Sequence, residues 1–234
     1  MNKKEELKQF LVKNFEELES DAFSGTNINH PPFELFPRDY LQFAEFDLKG
    51  TNDSSLINCV SNIKRAMDCQ IDTFFYSYNL FEFFKSKRLG IDKKLEFLKK
   101  AGVFNSGSLS RLNAIRNKME HDFVVPKVQD IELYFDLVSA FVSVLENHIL
   151  MLEIYAESTW YMQENGGLVG FKVQYFIGEP KIIVSWGKRG EDRTILESSL
   201  DNVEEFSFFL KVFFLISKTY IHTSKKYIVS QLID

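Results

Sequence analysis

The sequence predicts an α+β protein, in which a mainly helical bundle is followed by a small three-stranded antiparallel sheet with a covering helix. Two observations support this. Apolar residues recur at three- and four-residue spacings through most of residues 1–163, which is typical of amphipathic helices. After residues 165–167, which read NGG, apolar and other residues alternate, which is typical of strands. We therefore expect a helical domain over residues 1–163 and an α+β domain over residues 164–234.

The helical part divides into six segments. The longest two, residues 56–84 and 131–162, each carry a continuous apolar stripe. Prolines and glycines between the segments favour short connectors, which is typical of a helical bundle. The predicted helices span residues 3–19, 38–49, 56–84, 92–101, 108–122 and 131–162.

Three alternating segments follow, over residues 169–177, 181–186 and 193–197, and glycine-containing turns connect them. Asp201 and Glu204 resemble a capping box that begins a last helix over residues 206–216. Three strands alone are marginally stable, so we expect this helix to cover one face of the sheet. Residues 222–234 are predicted to be strand-like or frayed.

Composition favours a cytoplasmic protein. We expect no secretory signal, because residues 1–6 are mostly charged and no uninterrupted apolar run follows. We expect no membrane span, because the apolar segments are either interrupted by polar residues or short. Cys59 and Cys69 would lie about 15 Å apart on one predicted helix, too far for a disulfide. Zinc-binding spacings and phosphate-binding glycine loops are absent from the sequence, so we expect no metal site and no cofactor.

The charge distribution is uneven. The chain has a net charge of −5, yet ten basic and two acidic side chains lie between Lys85 and Lys118, which gives that segment +8. A local positive field in an acidic protein can attract nucleic-acid phosphates. The alternative is that these residues are the solvated helix faces of a lysine-rich chain.

One segment combines residue types suited to cleaving a phosphodiester. Residues 112–122 read LNAIRNKMEHD. Arg116 can bind a phosphate through two parallel hydrogen bonds. His121 can donate or accept a proton near neutral pH, because the pKa of an unperturbed imidazole is about 6.5. Asn117 lies one helical turn before His121 and can orient its ring.

The Arg-Asn-x-x-x-His pattern of residues 116–121 resembles the motif of the HEPN (higher-eukaryote and prokaryote nucleotide-binding) helical domains. Residues 57–72, INCVSNIKRAMDCQID, are similar to the first core helix of prokaryotic members. The resemblance covers about residues 36–162. It implies a homodimeric bundle in which two motifs meet in one cleft and cleave RNA without a metal ion. It also implies a bacterial defence or toxin role, with an antitoxin or another protein as partner.

Two alternatives remain open. Glu120 and Asp122 flank His121, and carboxylates repel a phosphate unless basic residues pair with them, so the domain could bind RNA, a nucleotide or a protein without cleavage. A purely structural interpretation has Arg116 paired with Glu120 and His121 at a helix end. The predicted catalytic residues are Arg116, Asn117 and His121. The predicted RNA-binding residues are Lys93, Lys94, Lys99, Lys100, Arg111 and Lys118.

Overall fold

The computed structural model describes residues 2–50, 52–104, 125 and 127–233. The fold is α+β, as predicted. The helices are α1 (Lys3–Asn14), α2 (Pro37–Leu48), α3 (Asp53–Ser77), α4 (Phe81–Ser86), α5 (Ile91–Lys100), α6 (Val128–Tyr155), α7 (Val203–Ser217) and α8 (Lys225–Ile233). The strands are β1 (Glu19–Ser24), β2 (Glu157–Glu164), β3 (Gly167–Phe176), β4 (Lys181–Lys188) and β5 (Thr194–Ser199). The predicted helix over residues 108–122 lies outside the described residues.

The chain forms two compact units. The sheet unit comprises residues 1–28, 100–103 and 148–234, and the helical unit comprises residues 29–99 and 104–147. The predicted domain boundary after residue 163 needs correction, because it lies inside β2 and because residues 1–28 belong to the sheet unit. A chain contributes its N-terminus to a later domain when that segment supplies an edge strand, as β1 does here.

The sheet has five strands in the order β1-β2-β3-β4-β5, all antiparallel, so the prediction of three strands is wrong. The two missed strands are β1 and β2. β1 lies almost entirely between the predicted helices 3–19 and 38–49, and all six of its residues are exposed. β2 lies in the last part of the predicted helix 131–162, which in fact ends at Tyr155.

One face of the sheet is buried beneath helices. The rings of Phe206 and Phe213 on α7 lie 6.4 Å and 6.0 Å from the ring of Tyr175 on β3. Phe10 of α1 stacks on the ring of Trp186 on β4 at 4.6 Å. The covering helix is therefore found as expected, and α1 shares its role. Residues 225–233 form α8, so the prediction of a strand-like or frayed tail is wrong.

The helical unit is built around α3, which packs against α2. Asn52 caps α3 by accepting a hydrogen bond from the amide of Ser55 at 3.0 Å. The chain then turns at Asn79, whose φ of 52° is in the left-handed region. That turn divides the predicted helix 56–84 into α3 and α4.

Among the described residues, one helix is long and apolar enough to cross a membrane by length and composition. It is α6, whose most apolar 18 residues have a mean hydropathy of 1.6. The core helix of a water-soluble protein passes the same test, so a single such helix is weak evidence for a membrane protein.

Candidate nucleic-acid interface

The predicted catalytic residues are not among those that the structure describes. Outside the described residues lie Arg111, Arg116, Asn117, Lys118 and His121. The other four predicted RNA-binding residues are lysines of α5. The described geometry therefore bears on the basic segment of α4 and α5, and the chemistry of the motif remains a prediction.

An aromatic cluster fixes the orientation of α4 and α5. The ring of Phe84 on α4 stacks on Phe75 of α3 at 4.4 Å and meets Phe97 of α5 edge-on at 5.2 Å. Leu95 and Leu98 of α5 are buried as well. These apolar residues occupy the inner faces of the two helices, and Lys93, Lys99 and Lys100 of α5 are left exposed.

Two of the four α5 lysines are engaged by carboxylates. Lys94 Nζ lies 2.5 Å from Asp72 Oδ1, and both side chains are more than two-thirds buried. Lys93 is exposed, and its Nζ lies 2.8 Å from Glu96 Oε2. The hydrogen bond to Glu96 is the main reason that the pKa of Lys93 is raised. Both lysines would have to exchange a carboxylate for a phosphate in order to bind RNA.

The basic side chains best placed for a phosphate are Lys87, Arg88 and Lys99, all of which are exposed. Neither Arg88 nor Lys99 forms an ion pair with any residue that the structure describes. Lys87 lies over the ring of Phe83, with its Nζ 4.3 Å from the ring centre. Sequence reasoning did not select Lys87 or Arg88 as RNA-binding residues, although both belong to the basic run that it identified.

A second feature was missed, the outward stripe of α6. The seam face consists of Leu133, Leu137, Ala140, Val144 and Asn147, spaced alternately by four and three residues. Leu133 is 57% exposed, Ala140 and Asn147 are exposed, and the other two are half-buried. Apolar residues at this spacing occupy the a and d positions of the seven-residue repeat in coiled-coil helices. The pattern is visible in the sequence alone.

An ion pair holds α6 against α2 within the helical unit. Two of the guanidinium nitrogens of Arg38, Nε and Nη2, donate to the carboxylate of Glu146 at 3.0 Å and 2.6 Å. Nη2 also donates to Ser143 Oγ. The hydrogen bond to Glu146 raises the pKa of Arg38. The bidentate geometry restricts the rotation of α6 about its axis, which favours a fixed orientation of the seam face.

Comparison of the chain with protein-family models, with curated proteins and with solved structures finds no match in any of the three. Among the residues that the structure describes, no group of three or more histidine, cysteine, aspartate or glutamate side chains could hold a metal ion.

Proposed function

We propose that this protein is a cytoplasmic homodimer that binds RNA and cleaves it without a metal ion, through Arg116 and His121. The observation that carries this proposal is the group of exposed basic side chains just after α4 and on α5, which precede the motif in an otherwise acidic chain. Lys87, Arg88 and Lys99 are available to phosphates there. Their charge would attract the RNA backbone, and Arg116 would hold the scissile phosphate.

The proposed chemistry is transesterification within RNA. The 2′-hydroxyl oxygen attacks the adjacent phosphorus, the bond from phosphorus to the 5′ oxygen breaks, and the products end in a 2′,3′-cyclic phosphate and a 5′-hydroxyl. A neutral His121 accepts the proton of the 2′-hydroxyl, and a protonated His121 from the other protomer donates a proton to the leaving oxygen. Arg116 offsets the negative charge that develops on the phosphoryl oxygens.

The seam face of α6 supports the dimeric part of the proposal. A stripe of two leucines, an alanine and a valine at a/d spacing is suited to pairing with an identical stripe, since a twofold interface uses the same surface on both chains. Asn147 continues the stripe, and an amide at such a position favours one register over others. Each motif supplies one histidine, so pairing of two chains also provides the two proton-transfer groups.

The test is an RNA cleavage assay in EDTA with wild type, His121→Ala and Arg116→Ala. We expect cleavage by the wild type, none by His121→Ala, and a rate lower by a factor of about 100 or more for Arg116→Ala. DNA of the same sequence is the substrate control, since it lacks the 2′-hydroxyl. Cleavage that survives His121→Ala, or that requires a divalent metal, would contradict the assignment.

The alternative is binding without cleavage, and the same experiment identifies it. If the wild type binds RNA with an affinity that falls steeply with salt but does not cut it, the protein is a non-catalytic RNA-binding module and not a nuclease. The exposure of Lys87 and Arg88, which lie between α4 and α5, and of Lys99 on α5 favours this second function over a purely structural role for the basic segment.

A further inference from the structure

The end of α4 carries an aromatic ring with basic side chains beside it. Phe83 is half-buried, and its ring meets the ring of Phe84 edge-on, with 5.6 Å between the two ring centres. Phe84 is 2% exposed and belongs to the core. The Nζ atom of Lys87 lies over the ring of Phe83, 4.3 Å from its centre, and Lys87 is exposed. Phe83 therefore packs against the core, while one face of its ring lies beneath a side chain that is itself exposed.

The neighbouring ring of Phe81 has a different role. It stacks on the ring of Tyr76 of α3, with 4.1 Å between the ring centres. The Nζ atoms of Lys85 and Lys94 lie 5.5 Å and 5.9 Å from the centre of the same ring. Phe81 is thus part of the packing between α3, α4 and α5, and Phe83 is the better placed of the two rings for contact with a ligand.

The backbone just after α4 places an arginine where glycine is usual. The amide of Leu89 donates to the carbonyl oxygen of Phe84 at 3.0 Å. The amide of Arg88 donates to the carbonyl oxygen of Lys85, also at 3.0 Å. These two hydrogen bonds form a Schellman motif, whose left-handed residue is most often glycine. Here that residue is Arg88, with a φ of 51°. Because a Cβ atom strains the backbone in this region, the fold alone would favour glycine at this position.

Backbone strain of this kind is concentrated at functional sites. Arg88 is exposed, and neither Arg88 nor Lys87 forms an ion pair with a residue that the structure describes. Two such cations beside an accessible aromatic ring are suited to a single-stranded nucleic acid, whose phosphates pair with cations and whose bases stack on aromatic rings. A base inside a duplex is stacked between its neighbours, so it has no free face to offer Phe83.

We propose that the end of α4 binds one unpaired nucleotide of single-stranded RNA. The base stacks on Phe83 in place of the ammonium group of Lys87, which moves to a phosphate, and Arg88 donates two parallel hydrogen bonds to a phosphate of the same strand. A contact between an exposed ammonium group and a ring is weak, so a base can replace it. This inference rests on the proposed RNA function and names its substrate class, which is unpaired RNA and not a duplex.

The first test measures binding of RNA that cannot be cleaved, because every ribose carries a 2′-O-methyl group. Fluorescence anisotropy compares a single strand of about twelve nucleotides with a duplex of the same length. We expect the single strand to bind at least about tenfold more tightly. Phe83→Leu removes the aromatic face and keeps an apolar side chain, so it should weaken single-strand binding by about fivefold or more and leave duplex binding unchanged. The matched control is Phe46→Leu, at a ring of α2 that is 77% exposed, and it should change neither affinity.

A second variant separates RNA binding from folding. Arg88→Gly relieves the backbone strain and removes the guanidinium group, so the melting temperature should stay the same or rise while single-strand binding at low salt weakens by about threefold or more. A lower melting temperature with unchanged affinity would make Arg88 a structural residue and overturn its role. Equal binding of single strand and duplex, or equal effects of Phe83→Leu and Phe46→Leu, would overturn the stacking site and leave RNA binding intact. Failure of the wild type to bind either RNA would overturn both this inference and the proposed function.

Discussion

The two most apolar helices of this protein differ in what surrounds them. In α7, every residue from Phe206 to Ser217 except Lys211 is buried. The helix is therefore enclosed by other parts of the protein on nearly all sides. In α6, Ile131, Tyr134 and Val138 are buried, whereas Leu133 on the opposite side is 57% exposed. α7 therefore stabilises the sheet unit from within, whereas α6 keeps an apolar stripe at its surface, which is the arrangement that the proposed dimer requires.

The comparison predicts first that α7 tolerates little change. Phe213→Ala removes a fully buried ring that packs against Tyr175 of the sheet and Phe214 of α7. We expect the free energy of unfolding to fall by about 3–5 kcal/mol. Urea denaturation monitored by circular dichroism measures this. Ile221→Ala, at a side chain that is 62% exposed, is the control and should change stability by less than about 0.5 kcal/mol. A cost for Phe213→Ala as small as that of the control would contradict the enclosed role of α7.

The opposite behaviour is expected for the seam face of α6. Ala140→Glu places a charge in the middle of the stripe, and both residues are good helix formers, so the monomer should stay folded. We expect the dimer dissociation constant to rise by about 100-fold or more, because the charge would be buried against the partner chain. Sedimentation velocity at several concentrations measures this. A wild-type protein that is monomeric at tens of micromolar would contradict dimerisation through the seam face.

A third prediction concerns the basic surface of the helical unit. The double variant Arg88→Glu, Lys99→Glu should weaken RNA binding by about tenfold or more at low salt and reduce the salt slope by about 1.4, the value for two lost contacts to a single strand. Fluorescence anisotropy with a labelled RNA over a salt series provides both quantities. The matched control is Arg189→Glu, Lys226→Glu, which reverses the charge of an exposed arginine and an exposed lysine of the sheet unit and should have a smaller effect. An equal loss in both proteins would mean that only net charge matters.

The smallest effect is expected at the ion pair that orients α6. Arg38 and Glu146 are about half exposed, so solvent screens their interaction. Arg38→Ala should lower the free energy of unfolding by no more than about 1 kcal/mol. Thermal unfolding followed at 222 nm measures this, with Arg65→Ala as an exposed control on α3. A loss of several kcal/mol would show that the pair does more than fix the rotation of α6.

Sequence periodicity was sufficient for the helices with a strong apolar stripe and for the strands β3, β4 and β5. It was insufficient for β1, because an edge strand whose residues are all exposed has no apolar alternation to reveal it. The beginning of β2 was hidden by continuity with α6, although Ser158, Trp160 and Met162 alternate with less buried neighbours. The change from a period of 3.6 to a period of 2 at Tyr155 was the available signal.

The candidate site was accessible from the sequence only in part. The excess of basic residues from α4 onward is visible in the amino-acid sequence, and most of those that the structure describes are exposed. Which lysines are free depends on tertiary pairing, and the pairing of Lys94 with Asp72 joins residues 22 positions apart. That contact has no signature in local spacing.

The most direct test of the central claim, that paired chains compose one RNA-cleaving site, mixes wild type with His121→Ala under exchange conditions and measures RNA cleavage in EDTA. If one histidine acts as base and the partner's His121 as acid, only dimers of two wild-type chains are active, and an equal mixture retains about a quarter of the wild-type activity. Activity of about one half would show that each chain acts alone. Activity that does not change with the proportion of His121→Ala would contradict a role for His121 altogether.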